Sequence, residues 1–429
     1  MSQIEKKIGI EVYSTGTEGM GGVIRHKVED FEVVEITNRK EKEDGDYLIV
    51  ELTKNDWDMH HAIRDLSRVL QISQKRFGFA GTKDRRAVTK QKLSIFDLRE
   101  GEIENINLGG ITLKKIGYSN KAVYMGDLFG NRFNIIIRDI DHSIEDTKSH
   151  IDSTYKEISE KGLANFFGVQ RFGTNRPVTH IIGKEIVRGD FKSAAMTYIA
   201  MPFPAESPDA LKARRYILET EDLKGGLKMM PFFLKYERAM LDYLVKNPDD
   251  YVGSFGVLQK NLKKMFVHAY QSYIFNKILS LRIKSGLPID EATTGDIVCF
   301  KNEVGFPNVR KTQKVKPENL KGINRLVKLK RAFVTAPVIG YEVDLSKGDQ
   351  GEIERKVLDE VGNEQEDFRV PSFPEFGSKG LRREIAIPTK INYVLDEDEI
   401  FLGKTKAKLN FELPKGSYAT VVLREFIKE

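Results

Sequence analysis

One aspartate in the first quarter of the chain stands among basic residues at the end of a predicted strand. The apolar run KRFGFAG (75–81) has the character of a strand that stops at its last glycine, so Asp84 falls on the tight connection that follows. Lys83, Arg85 and Arg86 flank it, and nearby cations keep a carboxylate ionised and attract phosphate. This combination suits an aspartate that acts as a nucleophile or base beside a nucleic acid.

Two other interpretations of this segment remain open from its spacing alone. The first is a surface turn in which Asp84 forms an ordinary salt bridge. The second is the guanine-reading TKxD loop of GTPases. The sequence contains no GxxxxGK[ST] phosphate loop, which argues against the second interpretation.

A second dense segment, NFFGVQRFG (165–173), interleaves aromatic residues with amide and guanidinium groups. Its candidate binding residues are Asn165, Phe167, Gln170 and Arg171. Aromatic rings can stack on an extruded base, while Asn, Gln and Arg can contact base edges or phosphate. The same pattern also fits a half-buried strand with two glycine bends, so both interpretations remain open.

The composition excludes several other kinds of chemistry. Cys299 is the only cysteine, which removes intramolecular disulfides, zinc sites built from cysteines and CxxC redox chemistry. There is no GxSxG or HExxH motif, and the seven histidines do not recur at ligand spacing. We therefore expect no metal.

The same composition predicts where the protein works. A single thiol fits a reducing compartment. The N-terminal residues carry no secretion signal, and no stretch of 18 apolar residues could span a membrane. We expect a cytoplasmic protein with no membrane partner.

The elements that must position these residues change in character along the chain. Strands and helices alternate in the first part: strands over 30–36, 47–53, 111–118 and 131–140, and helices over 59–71 and 144–162. After Gly173 the pattern is mainly helical over 183–286, with an aromatic stripe through Phe266 and Tyr270 that is typical of a core. Strands return at 383–389 and 407–413. Residues 417–429 are predicted to form a closing helix with Ser417 as N-cap.

Charge is distributed unevenly although the net charge is only +6. Residues 301–331 contain ten Lys or Arg against two acids, and residues 342–367 contain ten acids against three bases. The basic run has the composition of a surface that follows a phosphate backbone. It fits equally well a solvated face that the acidic run balances. We expect the acidic run to form an exposed excursion, because its charges repel one another.

Four segments together carry a resemblance to a known family. In chain order they are KVEDFEV (27–33), GTKDRRAVTKQ (81–91), NFFGVQRFG (165–173) and LPKGSYAT (413–420). They resemble the motifs of the TruD family of RNA pseudouridine synthases, with Arg85 in place of the family's usual lysine. The length of the insertion between the third and fourth motifs is similar to that of the archaeal branch.

The resemblance implies an α+β fold. The family has an antiparallel-sheet catalytic domain shared by pseudouridine synthases, into which a helix-rich, TruD-specific domain is inserted. On this basis residues 1–175 and 384–429 are predicted to form the discontinuous catalytic domain, and residues 176–383 the inserted domain.

The resemblance also implies an activity, the conversion of uridine to pseudouridine in tRNA, classically at position 13. Asp84 corresponds to the catalytic aspartate, and Arg25 stands where relatives carry a basic residue near it. Phe167 matches the family's active-site aromatic residue, which packs against the target base. Asn165 resembles a residue that contacts the base or orients the aspartate. Lys83, Gln170 and Arg171 are candidate RNA or structural contacts. The reaction needs no cofactor, and we expect a monomer.

Two other function classes are weighed against this one. The first is an RNA-binding or chaperone-like protein on the same scaffold without catalysis, which would not need an aspartate at position 84. The second is a metal-dependent nuclease, which would need several convergent carboxylates where the sequence offers one strong candidate.

Overall fold

A computed structural model of the chain describes residues 1–104, 106–174, 176–302 and 305–428. The chain divides into two compact units. Residues 1–14 and 164–386 form the first, which we call the helical unit; residues 15–163 and 387–429 form the second, the sheet unit. The domain boundaries expected from the sequence, 1–175 and 384–429 against 176–383, stay a prediction.

Helices and strands alternate in both units, so the α+β fold class is confirmed. The described strands are β1 (Val23–Ile24), β2 (Phe31–Ile36), β3 (Tyr47–Asn55), β4 (Phe77–Phe79), β5 (Val88–Phe96), β6 (Ile111–Ser119), β7 (Gly130–Ile140), β8 (Leu163–Ala164), β9 (Ile297–Lys301), β10 (Pro307–Lys314), β11 (Ala332–Val338), β12 (Leu381–Glu384), β13 (Ala386–Ile387), β14 (Ile391–Glu397) and β15 (Thr405–Pro414). The described α-helices are α1 (Gln3–Lys7), α2 (Met59–Val69), α3 (Ile144–Lys161), α4 (Thr179–Val187), α5 (Phe191–Ala200), α6 (Pro208–Thr220), α7 (Leu223–Met229), α8 (Lys235–Lys246), α9 (Tyr251–Ser254), α10 (Lys260–Lys284), α11 (Leu320–Lys328), α12 (Gly348–Val361) and α13 (Ala419–Ile427). Each long strand predicted in the first part of the chain is present, and the predicted helical region after Gly173 contains α4 to α10.

The sheet unit is built on one large sheet. In the described residues its strands run in the order β14-β15-β7-β2-β5-β3-β6, with β1 beside β7 and β4 beside β5. Neighbouring strands are antiparallel except β2 and β5, which are parallel. The chain between those two passes through β3, α2 and β4, which supplies the long crossover that a parallel pair requires. The antiparallel sheet implied by the resemblance is therefore present, with this one exception.

Packing of α2 against the sheet fixes the C-terminal part of β3, which carries Lys54. Leu48 and Leu52 of β3 are completely buried in one cluster with Leu66 of α2. Burying an apolar side chain of this size stabilises the fold by about 1.5–3 kcal/mol. The carboxylate of Asp58 accepts hydrogen bonds from the first main-chain N–H groups of α2 and so caps it. The turn after Lys54 is thereby held at both ends.

The helical unit is organised around α10, which has buried residues along most of its length. Phe266 and Tyr270 are buried, so the core role expected for the aromatic stripe is confirmed. The unit also contains a sheet in the order β10-β9-β11-β12, which the sequence did not predict. Its edge strand β10 carries mostly polar side chains, five of them exposed and three half-buried, so it lacks the alternating pattern that identifies a strand.

The expectation that residues 342–367 form an exposed excursion is wrong. Most of this acidic run forms α12, and Ile353, Val357 and Val361 on one of its faces are buried. These apolar residues recur every four positions, so α12 buries one stripe while most of its acids remain on the other side.

The prediction for the closing helix is also wrong in one detail. The helix α13 begins at Ala419, and its N-cap is Tyr418 rather than Ser417. No described helix is long and apolar enough to cross a bilayer.

Candidate active site

The loop between β4 and β5 carries Asp84 and is held in place by main-chain contacts. The Ala80 carbonyl accepts a hydrogen bond from the Gly126 N–H at 2.7 Å. The Gly81 carbonyl accepts one from the Gln91 side-chain amide at 3.0 Å. Gln91 lies on β5, so the strand that follows the loop also fixes its start.

The carboxylate of Asp84 is held from one side only. Arg25 donates a short hydrogen bond from Nη2 to Oδ2, and its guanidinium lies 4.0 Å from the centroid of the Phe31 ring. The main chain of Arg25 has a φ of +59°, a region that residues with a side chain rarely adopt and that is enriched at functional sites. Within the described residues Oδ1 of Asp84 has no hydrogen-bond partner, and 38% of this side chain is exposed.

A completely buried lysine lies beneath this loop. Lys54 of β3 donates from Nζ to the carbonyl of Trp57 at 2.7 Å and to the carbonyl of Asp84 at 3.1 Å. Burial lowers the pKa of Lys54 to about 8, against the attraction of the carboxylates of Asp58 and Asp84. Lys54 therefore ties the main chain of Asp84 to the turn before α2.

The other basic residues of the motif divide into a buried one and two exposed ones. Lys83 contacts Glu35 of β2 at 2.9 Å, and both side chains are almost completely buried. This contact favours a structural role for Lys83 over a contact with RNA. Arg85 and Arg86 are exposed on either side of the loop, where they raise the local positive potential.

A second constellation lies in the helical unit, where Asn165 is completely buried. Its Oδ1 accepts a hydrogen bond from Arg383 at 2.6 Å, and its Nδ2 donates to Glu384 Oε1 at 3.1 Å. Both ends of the amide are thus bonded to β12. Burial raises the pKa of Glu384, and the charge of Arg383 opposes that rise.

The ring of Phe167 is held in one orientation by its neighbours. Its main-chain N–H donates to Asn276 Oδ1 at 2.8 Å, and its carbonyl accepts from Asn276 Nδ2 at 3.0 Å. The ring meets Phe275 edge-on at 5.4 Å, and the guanidinium of Arg383 lies 4.1 Å from its centroid. Phe167 is buried, with 9% of the residue exposed, so its ring is fixed in place but offers only a small edge to a ligand while Arg383 covers it.

The two remaining predicted residues lie on a short 3-10 turn, Val169–Arg171, and not on a strand. The strand interpretation of segment 165–173 is therefore wrong, because β8 ends at Ala164, just before the segment begins. Arg171 donates to Ser272 Oγ at 3.2 Å, and its guanidinium lies 5.8 Å from the Phe167 ring. Gln170 is half-buried on the same turn.

Four residues of these constellations were missed from the sequence: Lys54, Asn276, Arg383 and Glu384. Asn276 had a signal, because Ser272, Asn276 and Ser280 recur every four positions along α10 and all three are buried. A buried polar stripe of this kind implies hydrogen-bond partners. The other three carried no local signal.

The single cysteine lies in the sheet that also contains Glu384, separated from it by the strand β11. Cys299 is buried on β9, and burial raises the pKa of its thiol to about 12. The described residues include no group of three or more His, Cys, Asp or Glu side chains placed to hold a metal ion.

Comparison with known proteins matches the chain, over residues 7–426, to the family model described as tRNA pseudouridine synthase D (TruD). The chain belongs to this family. It is 55% identical over 427 residues to the "Probable tRNA pseudouridine synthase D" of Methanosarcina mazei, covering 99% of this chain and 98% of that relative. It is 39% identical over 425 residues to the protein of the same description from Archaeoglobus fulgidus, covering 99% of each.

A solved structure extends the family likeness to the fold. The crystal structure of the "Putative tRNA pseudouridine synthase D (TruD)" from Methanosarcina mazei matches with a TM-score of 0.90 and 54% identity, over 100% of this chain and 98% of that chain. The resemblance identified from the four motifs, including its archaeal character, is thereby confirmed. The relatives named here are all described as synthases, so nothing among them favours the non-catalytic alternative.

Proposed function

We propose that this chain isomerises uridine to pseudouridine in tRNA with Asp84 as its catalytic aspartate. The family carries the reaction: the chain is a tRNA pseudouridine synthase. The observation that supports the residue is the state of its carboxylate. Oδ2 of Asp84 is held by Arg25, while Oδ1 has no partner among the described residues and the side chain is partly exposed.

The chemistry asks little more of the protein than an ionised carboxylate in a fixed place. The C1′–N1 bond breaks, the uracil rotates and a C1′–C5 bond forms; C5 loses a proton and N1 gains one, so the change is redox-neutral. A carboxylate can attack the sugar or the base, or assist deprotonation at the 2′ position. Each route requires a carboxylate oxygen that is free to approach the nucleoside, as Oδ1 of Asp84 is.

Arg25 and Lys54 prepare this carboxylate in different ways. Arg25 neutralises the carboxylate and fixes its rotation through Oδ2. Lys54 acts on the main chain, because it holds the carbonyl of Asp84 from below. With both contacts in place, the loop does not have to reorganise when the substrate arrives, which lowers the barrier to reaction.

The constellation of the helical unit suits recognition of the target base. The target uridine must leave its stack, which costs a few kcal/mol in paired RNA. A fixed Phe167 ring recovers part of that cost by packing against the extruded base. Asn165 orients Arg383 over the ring and is itself held by Glu384, while Gln170 and Arg171 supply further polar contacts to RNA.

The finer parts of the proposal concern the substrate and the setting. We assign position 13 of tRNA as the modified position, because the four motifs resemble enzymes with that site. The sheet unit contains Asp84 and supports the assignment of the catalytic domain to the two ends of the chain. The protein acts as a monomer in the cytoplasm and needs no cofactor.

Tritium release from tRNA that carries [5-³H]uridine tests the proposal. Asp84→Asn keeps the size of the side chain but removes its charge, so release should stop while tRNA binding remains. Asp97→Asn, on an exposed carboxylate at the end of β5, is the matched control and should leave release unchanged. Release by Asp84→Asn at a rate close to that of the unmodified protein would overturn the assignment.

A further inference from the structure

The basic run of residues 301–331 forms a surface that the proposed site does not use. Its ten cations lie at the end of β9, on β10, on α11 and on the turns beside α11, and we call them the basic face: Lys301, Arg310, Lys311, Lys314, Lys316, Lys321, Arg325, Lys328, Lys330 and Arg331. Every one of these ten side chains is exposed. Two acids occur in the same stretch of sequence.

The positive charge of the basic face is left uncompensated. Within the described residues only Lys314 of the ten lies in an ion pair, with Asp344 at 3.1 Å. The carboxylates of the acidic run have partners elsewhere: Glu342 with Lys379, Glu360 with Lys277, and Glu366 with Arg369. Apart from the pair of Lys314 with Asp344, no described carboxylate of the acidic run lies in an ion pair with the basic face, so the acidic run neutralises that face directly at one position only.

The helix α11 arranges three of these cations in a line. Lys321, Arg325 and Lys328 are separated by four and three residues, so they share one exposed stripe. Ile323 and Val327 lie on the other side and are buried. Three like charges on one stripe repel one another, and the helix tolerates them without a neutralising acid beside them.

The strand β10 adds further cations at the edge of its sheet. Its pairing with β9 is interrupted by a bulge between Asn308 and Thr312, and Arg310 and Lys311 lie in that bulge. Bulges re-aim side chains, and cations on an edge strand also prevent unwanted pairing with other strands. Protection of an edge accounts for the cations of β10 but not for those of α11.

We propose that the basic face binds the phosphate backbone of the tRNA substrate, an inference that rests on the proposed function. Exposed cations that mostly lack an ion-pair partner, on two elements that follow one another in the chain, are what a polyanion recognises. The stretch offers no exposed aromatic residue among its described positions, since Phe306 is half-buried. Contact with phosphate rather than base stacking follows, so binding at this face is independent of sequence.

An anionic membrane is a poorer partner for the same surface. A helix that binds a bilayer must insert an apolar face between the headgroups. The apolar side chains Ile323 and Val327 of α11 are buried within the fold, and the exposed Leu329 at its C-terminal end is a single side chain rather than an apolar face.

The test compares the salt dependence of tRNA binding in two triple variants of the full chain. Lys321→Gln/Arg325→Gln/Lys328→Gln removes the stripe on α11 with a residue that keeps the helix. Lys212→Gln/Arg215→Gln/Lys224→Gln removes three exposed cations of α6 and α7 in the same unit and is the matched control. Thermal melting of both variants establishes that they fold as the unmodified chain does.

The expected results separate this proposal from the proposed function. The plot of log binding constant against log salt should become shallower by about 2 in the α11 variant and stay unchanged in the control. Tritium release at saturating tRNA should be unaltered, while KM rises. An unchanged salt slope in the α11 variant would overturn the role of the basic face. So would an α11 variant that binds tRNA normally and loses only its binding to phosphatidylserine vesicles. Absence of pseudouridine formation by the unmodified chain would instead refute the proposed function, and the salt slopes would remain interpretable.

Discussion

Replacing Lys54 by methionine tests whether the buried lysine positions Asp84 or merely stabilises the fold. The substitution removes the donor to two carbonyls, at 2.7 and 3.1 Å, and each hydrogen bond from a charged donor contributes about 1.5–3 kcal/mol. It also relieves a cost. The fall in the pKa of Lys54 from 10.5 to about 8 corresponds to about 3 kcal/mol for burying the ammonium group. The two effects largely offset each other, so we expect a loss of stability of about 0–3 kcal/mol.

The effect on catalysis should be larger than the effect on stability. Without Lys54 the carbonyl of Asp84 loses its donor and the loop relaxes, and a displacement of about 1 Å at a reacting group can cost about a hundredfold in rate. We therefore expect kcat for tritium release to fall about a hundredfold while KM for tRNA changes little. A purely structural lysine would lower the amount of folded protein and leave kcat per folded molecule intact.

The pH dependence of the unmodified protein provides a second test, because kcat and stability should change in opposite directions as Lys54 loses its proton. Between pH 8 and 10.5 the unfolded chain holds the proton of Lys54 and the folded chain does not, so the stability of the unmodified protein rises relative to Lys54→Met across that window. Its kcat should fall above about pH 8, because the positive charge beneath Asp84 is lost. The methionine variant should lack both steps.

The control for this prediction is Lys90→Met. Lys90 lies on β5 in the same sheet and pairs with Glu32 at 2.8 Å, away from the loop that carries Asp84. Its loss removes an ion pair of the sheet, and kcat should remain within about twofold, as for most partly exposed pairs. A kcat of Lys54→Met within twofold of the unmodified protein, or an equal loss in Lys90→Met, would refute the positioning role.

Three further predictions follow from the two constellations. Arg25→Lys should keep part of the activity and Arg25→Gln should lose far more, because the lysine restores a cation beside Asp84 without the planar guanidinium that lies against the Phe31 ring; single-turnover rates on tRNA would show the ranking. Phe167→Leu should lower the rate at saturating tRNA more than it weakens binding, and an unchanged rate would contradict a role in ordering the base. Because burial raises the pKa of Glu384, its carboxyl group stays protonated to higher pH in the folded chain than in the unfolded chain. The unmodified protein should therefore lose stability relative to Glu384→Gln as pH rises through the pKa of the folded state. Urea denaturation at several pH values measures the direction of this change.

The sequence predicted the parts of the fold that have a clear hydrophobic period. Strands β2, β3, β6, β7 and β15 of the large sheet follow from alternating spacing and α2 from helical spacing, and their observed bounds differ from the expected ones by a few residues. The strands β5 and β14 of the same sheet were not predicted. The edge strand β10 was missed because its side chains are polar and exposed, and α12 was missed because its charge was given more weight than the spacing of Ile353, Val357 and Val361. Both errors come from reading charge as a sign of irregular structure.

The site shows a similar division between local and long-range information. Asp84 and Phe167 were identified because each lies in a contiguous motif. The partners that hold them, Lys54 and Arg383, come from strands about 30 and more than 200 residues away, and a single sequence carries no signal for such pairs. From the motif, Lys83 could either bind RNA or stabilise the fold. Its burial against Glu35 favours the stabilising role, which the motif could not show because Glu35 lies on another strand.

Mapping of pseudouridine in tRNA incubated with the purified protein tests the central claim most directly. The unmodified chain should introduce pseudouridine at position 13, and Asp84→Asn should introduce none at equal concentration and comparable tRNA binding. A transcript with cytidine at position 13 should remain unmodified. Pseudouridine at position 13 after incubation with Asp84→Asn, at a rate close to that of the unmodified chain, would contradict the account.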